Sequence, residues 1–78
     1  MNMDYKQQDT LRILDYLRRY PNGVSVDDII EHSGADRLRV YPALFELEQA
    51  GRLEVLGAAR VVRLTVSDIG TKKLKIEN

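Results

Sequence analysis

The stretch GVSVDDIIEHSGADRLRVYPALFELEQAG, residues 23–51, decides the fold, because it contains two helix starts separated by a tight break. Ser25 stands before two acidic residues, a pattern typical of a helix N-terminus that is capped by a hydroxyl. Gly34 supplies the freedom for a tight turn, and Asp36 is the expected cap of the next helix. That helix is expected to end at Gly51, because glycine commonly terminates helices. The stretch therefore predicts two helices joined by a turn.

The second helix of this pair carries a stripe of apolar residues. Val40, Leu44 and Leu47 recur at the i, i+4, i+7 spacing of a buried helix face. Pro42 lies inside the same segment, where its ring removes one backbone hydrogen bond. The sequence therefore predicts either an irregular first turn or a bend at the proline.

An amphipathic helix precedes this pair along the chain. The apolar residues of positions 5–20 recur at helical spacing, with charged residues between them, and Pro21 cannot continue the helix. A short extended step at Val24 then leads to the first cap described above. The apolar set expected to face the core comprises Leu11, Ile13, Leu14, Leu17 and Tyr20.

A β-hairpin is predicted to follow the helix pair. Apolar residues alternate with others over 53–56 and again over 61–64, and a turn is expected at 57–59. Residues 68–75 are expected to form one or two helical turns after a further cap. The complete order is helix, short strand, helix, turn, helix and hairpin. This order is that of a small α+β winged helix-turn-helix, in which the later helix of the pair is offered to DNA.

Length and composition exclude several classes of protein. Seventy-eight residues allow one small domain, residues 1–78, with little room for an internal active-site cavity. The chain has no cysteine and a single histidine, so we expect no disulfide scaffold, no metal site and no cofactor. Neither a glycine-rich phosphate loop nor a plausible catalytic pair occurs, and the chain is not expected to be an enzyme.

Location and charge are also constrained by the sequence. Its apolar runs are far shorter than a membrane span, and the N-terminus has no signal pattern, so we expect a cytoplasmic protein. Twelve basic residues balance twelve acidic ones, which argues against a strongly basic nucleic-acid binder. The balance is uneven, because positions 1–34 hold four basic and six acidic residues whereas 35–78 hold eight and six. Any attraction for an anionic partner is therefore expected in the second half.

One set of motifs resembles a known family. It consists of Val-Tyr-Pro-Ala-Leu at 40–44, Leu-Glu at 47–48, Gly51, Arg-Leu-Thr at 63–65 and Gly70. This set is similar to the PadR family of bacterial transcriptional repressors, with MarR-type regulators as the next resemblance. The resemblance implies a winged helix that binds duplex DNA as a transcriptional regulator or an accessory factor. Because one domain makes few contacts, useful affinity would need a homodimer, tandem sites or a protein partner.

Five residues are candidates for DNA contact. Arg37 and Arg39 lie in the first turn of the presented helix, where a guanidinium can bind guanine or a phosphate. Tyr41 and the helix start at Ser25 are candidates for phosphate contact, and Arg60 for the flanking groove. The alternatives are a solvated charged face for the two arginines and a core-edge position for the tyrosine.

Phe45 supports a different function. It stands off the buried stripe, and Glu46 follows it, so this part of the helix would attract phosphates weakly. An exposed patch of Leu38 and Phe45, extended by Leu56 and Val61, would suit a protein partner. The alternative function is therefore a winged-helix protein-interaction module that does not bind DNA. A shift of the helix phase around the proline would instead place Phe45 in the core.

Overall fold

The computed structural model describes residues 5–58 and 60–65, and within them it is a small α+β winged helix, as predicted. The predicted helical segment at 68–75 lies outside the described residues. The elements follow one another in the order α1 Tyr5–Arg19, β1 Val24–Ser25, α2 Val26–His32, α3 Arg37–Gln49, β2 Leu53–Leu56 and β3 Val61–Leu64. The β2–β3 hairpin is called the wing below.

The ends of α2 and α3 are formed by the residues that the sequence predicts. The Ser25 hydroxyl oxygen accepts the backbone N–H of Asp28 at 3.1 Å, which caps α2. The Asp36 carboxylate accepts the N–H of Leu38 at 2.9 Å, which caps α3. Gly51 follows α3 with a φ of 76°, a conformation that glycine adopts without strain. Helix α3 continues through Pro42 without a break.

The three strands form one antiparallel sheet in the order β1-β3-β2. The predicted hairpin pairs Leu53 with Leu64, and the short extended step at Val24 pairs with Val62 of β3. Entry into β1 requires Gly23, whose φ is 105°. A Cβ at this position would stand 2.5 Å from Cγ1 of Val61. Strand β3 therefore packs against the backbone at position 23 so closely that only glycine fits there.

The core lies between the three helices and the sheet. The stripe of α3 is buried as predicted, but two residues expected in the core from α1 are exposed. Leu11 lies about 160° around the helix from Ile13, and Tyr20 lies beyond the last residue of α1, so each is 45% exposed. Tyr16 is buried in their place. The core residues are Ile13, Leu14, Tyr16, Leu17, Val26, Ile29, Ala35, Val40, Ala43, Leu44, Leu47, Leu53, Val62 and Leu64.

In the part of the chain that the structure describes, no helix is both long and apolar enough to cross a bilayer. Within residues 5–58 and 60–65, no three side chains of the metal-ligating types are grouped so that they could hold an ion.

Candidate nucleic-acid interface

One face of α3 is turned to solvent along its whole length. The helix buries the stripe that includes Val40 and Leu44, so residues on the opposite side have no core to contact. Leu38 is 83% exposed, Tyr41 50% and Phe45 62%. The exposure of Phe45 excludes the predicted alternative in which a phase shift would bury it.

The wing contributes a cation to this face. Arg60 stands in the turn before β3 with a φ of 57°, and its backbone N–H bonds to the carbonyl of Gly57 at 3.1 Å. Its guanidinium carbon lies 5.8 Å from the centre of the Tyr41 ring, within the range of a cation–π contact. The wing and α3 are therefore joined at their outer edges by an arginine and a tyrosine.

A groove of about 260 Å³ lies between α3 and the wing. Its lining is part aromatic, part aliphatic and part charged, and consists of Val26, Tyr41, Leu44, Phe45, Glu48, Val55 and Arg60. The exposed residues Arg37, Leu38, Tyr41 and Phe45 of α3, together with Arg60, are called the α3–wing face below.

The two arginines predicted to act together lie on different sides of α3. Residues two apart on a helix point about 200° away from each other. Arg37 is exposed, and no acidic group of residues 5–58 and 60–65 forms an ion pair with it. Arg39 is half-buried and turns towards α1. The structure therefore places Arg37 on the α3–wing face and Arg39 beside it, against another helix.

Arg39 is held by groups of its own domain. Its Nε lies 3.4 Å from Oδ2 of Asp9 and 3.9 Å from Oδ2 of Asp36, while its guanidinium carbon is 5.9 Å from the Tyr5 ring centre. A contact of Arg39 with a base would require these interactions to open. A second groove of about 520 Å³ surrounds this cluster, and Arg12 also lines it.

Asp9 is the organising residue that sequence reasoning missed. Although it is a charged residue, it is only 3% exposed. Its Oδ1 accepts the backbone N–H of Asp36 at 3.2 Å and lies 3.5 Å from Arg12. The signal was present in the spacing, because Asp9 precedes Ile13 by four residues and Leu17 by eight and so shares their buried face.

Ser25 is an unfavourable phosphate site in this structure. Its hydroxyl oxygen already accepts the N–H of Asp28, and its backbone belongs to β1. The carboxylates of Asp27 and Asp28 lie in the first turn of α2, where an approaching phosphate would be repelled. These acids offset the attraction that the helix start would otherwise exert on an anion.

The four residues predicted for a protein interface fall into two groups. Leu38 and Phe45 share the exposed side of α3, whereas Leu56 and Val61 are register partners in the wing. Val61 is half-buried, with its side chain directed at the position of Gly23. Of these four residues, the two most exposed, Leu38 and Phe45, both lie on α3.

Comparisons with known proteins agree with this architecture. The family model described as the DprA winged helix domain matches residues 5–58. No curated protein matches the chain. The winged-helix part of the resemblance seen in the sequence is confirmed, and nothing in the comparisons supports its PadR or MarR part.

Two solved structures of Zalpha domains are similar to the chain. The ORF112 Zalpha domain of Cyprinid Herpesvirus3 has a TM-score of 0.64 and 25% identity, over 82% of this chain and 100% of that one. The Zalpha domain of Carassius auratus PKZ has a TM-score of 0.67 and 21% identity, over 80% of this chain and 100% of that one. The first structure concerns the binding mode of its domain to Z-DNA, and the second is a complex with Z-DNA.

Proposed function

The chain belongs to the DprA winged helix domain family, and we propose that it binds duplex DNA through the α3–wing face. The observation that carries the proposal is the position of two cations at the edges of this face. Arg37 lies at the start of α3 and Arg60 at the wing turn, and neither forms an ion pair with an acid of the described residues. Two such cations suit two phosphates with an aromatic surface between them.

The roles of the individual residues follow from their positions. Arg37 and Arg60 would bind phosphates, and the hydroxyl of Tyr41 can donate a hydrogen bond to a phosphate between them. Tyr41 and Phe45 would cover a sugar or a base edge, which aromatic rings contact without a need for charge. No catalytic step is part of this proposal.

The form of the duplex is a further part of the proposal. The similar Zalpha domains are described with Z-DNA, and they share the fold that positions the α3–wing face. We therefore propose left-handed duplex as a ligand alongside the ordinary right-handed form. A role in transcription regulation, in the cytoplasm, remains a prediction that would follow from sequence-selective binding.

Amide-shift NMR titrations of the whole chain with two duplexes would test the proposal. One duplex is a mixed sequence in the right-handed form, and the other is an alternating dC-dG sequence with modified bases that keep it left-handed at low salt, which circular dichroism verifies. Binding through the α3–wing face predicts shifts on α3 and at Arg60 that fade as salt rises. Absence of shifts with both duplexes at low salt would refute DNA binding.

Arginine variants assign the binding to this face. Arg37→Ala and Arg60→Ala are each expected to weaken binding about tenfold at low salt, since each removes one phosphate contact. Arg19→Ala is the matched control, because it removes the same charge from an exposed pair with Asp15 on α1. An equal loss in all three variants would indicate nonspecific attraction. Arg39→Ala tests the base contact predicted from the sequence.

Docking of a protein is the second candidate function, and the exposure of Leu38 and Phe45 favours it. Large apolar side chains on one exposed helix face are typical of surfaces that a partner covers. Leu38→Ser and Phe45→Ser would distinguish the two functions. They would abolish protein docking, whereas DNA binding would keep its dependence on Arg37 and Arg60.

A further inference from the structure

The exposed side of α3 has a pattern that phosphate binding does not explain. Leu38, Tyr41 and Phe45 are spaced by three and then four residues, so they form one continuous stripe on the helix. Each is at least half exposed. Single exposed apolar residues are common on protein surfaces, but a stripe of three on one face marks a contact surface.

Opposite charges stand at the two ends of this stripe. Arg37 precedes it and Glu48 follows it, eleven residues or about three turns later, which returns the chain to the same face of the helix. Both side chains are exposed. Among residues 5–58 and 60–65, neither has an oppositely charged partner within ion-pair distance. The other acid near the stripe, Glu46, is paired with Lys6 at 3.1 Å.

We propose that this surface binds a second copy of the chain, with the two α3 helices packed antiparallel about a two-fold axis near Tyr41 and Pro42. In that arrangement Leu38 of one copy meets Phe45 of the other. Arg37 of each copy then comes within reach of Glu48 of the second copy, so that two equivalent ion pairs flank the apolar stripe. A two-fold interface requires such self-complementarity.

The charges at the two ends of the stripe favour a second copy as the occupant, while the third charge of this face, Arg60 beside Tyr41, lines the same groove as Glu48. A positive start and a negative end on the same face complement their own two-fold image, whereas a parallel arrangement would place like charges together. The dipoles of antiparallel helices also oppose each other favourably. The chain has a net charge of +0, so two copies do not repel each other as a whole.

The interface is small, which sets the strength of the association. One face of a 13-residue helix covers less area than a standard interface, so the dimer would form at concentrations of about 100 µM and above. The inference goes beyond DNA binding and does not rest on it. Because both use the same side of α3, DNA and a second copy would compete for it.

Sedimentation equilibrium of the whole chain, from about 10 µM to 1 mM, provides the test. The wild type is expected to dimerise over this range. Arg37→Glu and Glu48→Arg each place two like-charged pairs in the interface and should raise the dissociation constant about tenfold or more. The double variant carries both changes, restores opposite charges in reversed order and should recover the wild-type constant within about threefold.

Matched controls separate the surface from general charge effects. Arg19→Glu reverses an exposed charge on α1, outside the proposed interface, and should leave the dissociation constant unchanged. Far-UV circular dichroism confirms that each variant keeps its helices. A monomer at about 1 mM would overturn the proposal, as would a double variant that fails to recover.

Failure of this proposal is distinguishable from failure of DNA binding. Glu48→Arg disrupts the dimer but adds a cation beside the α3–wing face, so DNA affinity is expected to be maintained or to rise. A dimer that does not bind DNA would support the interface proposal and contradict DNA binding. A strict monomer that binds DNA would support DNA binding and contradict the interface proposal.

Discussion

Asp9 links α1 to the start of α3 through a carboxylate that is almost completely buried. Asp9→Ala would remove the acceptor of the Asp36 N–H and the acid nearest to Arg39. We expect the free energy of unfolding, measured by urea denaturation, to fall by about 1–3 kcal/mol, because the donors lose a buried partner. Asp15→Ala is the control on the same helix. Its exposed pair with Arg19 is expected to contribute less than about 1 kcal/mol, and equal losses would contradict the role of Asp9.

Tyr16 makes the free energy of unfolding depend on pH in the alkaline range. Burial raises the pKa of Tyr16 above its ordinary value of 10.0, and the neighbouring Tyr20 adds to the rise. The unfolded chain therefore releases this proton at a lower pH than the folded chain does. The contribution of protonated Tyr16 to the free energy of unfolding is complete below pH 10.0 and is lost as the pH rises through the pKa of the folded state.

Tyr16→Phe is the variant that checks this dependence. Urea denaturation at about pH 9 and about pH 11 is expected to show a larger fall in unfolding free energy for the wild type than for Tyr16→Phe. Tyr5→Phe, which changes an exposed tyrosine, should keep the wild-type fall. The same fall in all three proteins would show that burial of Tyr16 is not its cause.

At the scale of elements, the joint between β1 and β3 depends on a glycine. Gly23→Ala would combine an unfavourable φ with a close contact of the new Cβ and Val61. The expected loss is about 1–3 kcal/mol in the free energy of unfolding, measured by thermal denaturation. Gly57→Ala also changes a glycine with positive φ, 67°, but one with open space around it, so about 1–2 kcal/mol of backbone strain alone is expected. A smaller effect at position 23 than at position 57 would refute the steric explanation.

Elements whose signals are local were predicted correctly. Ser25 and Asp36 cap helices through hydrogen bonds to residues two or three positions away. Gly51 ends α3 through its own positive φ, which is a property of that single residue. The strand at Val24 was anticipated only as an extended step, because its partner Val62 lies at the other end of the domain. Strand pairing is a long-range event that local sequence does not specify.

At the scale of the whole molecule, the balanced charge predicts a weak dependence of DNA binding on salt. The α3–wing face offers Arg37 and Arg60, and the net charge is +0. Each cation that contacts a phosphate contributes about −0.9 to the slope of log affinity against log salt, so the two arginines predict a slope of about −2. Fluorescence anisotropy with a labelled duplex at several salt concentrations measures it.

The same titration has an internal check. Arg60→Ala should reduce the magnitude of the slope by about one, whereas Arg19→Ala should leave it unchanged. A wild-type slope of about −6 would show that cations outside the α3–wing face take part.

The sequence by itself determined the order of the elements, the helix caps and the buried stripe of α3. These features depend on residues within a few positions of one another. Only the tertiary structure decided that Arg37 is available to a ligand while Arg39 is paired. The reason is that Asp9 stands on another helix, thirty residues earlier, and reaches Arg39 only when α1 packs against the start of α3.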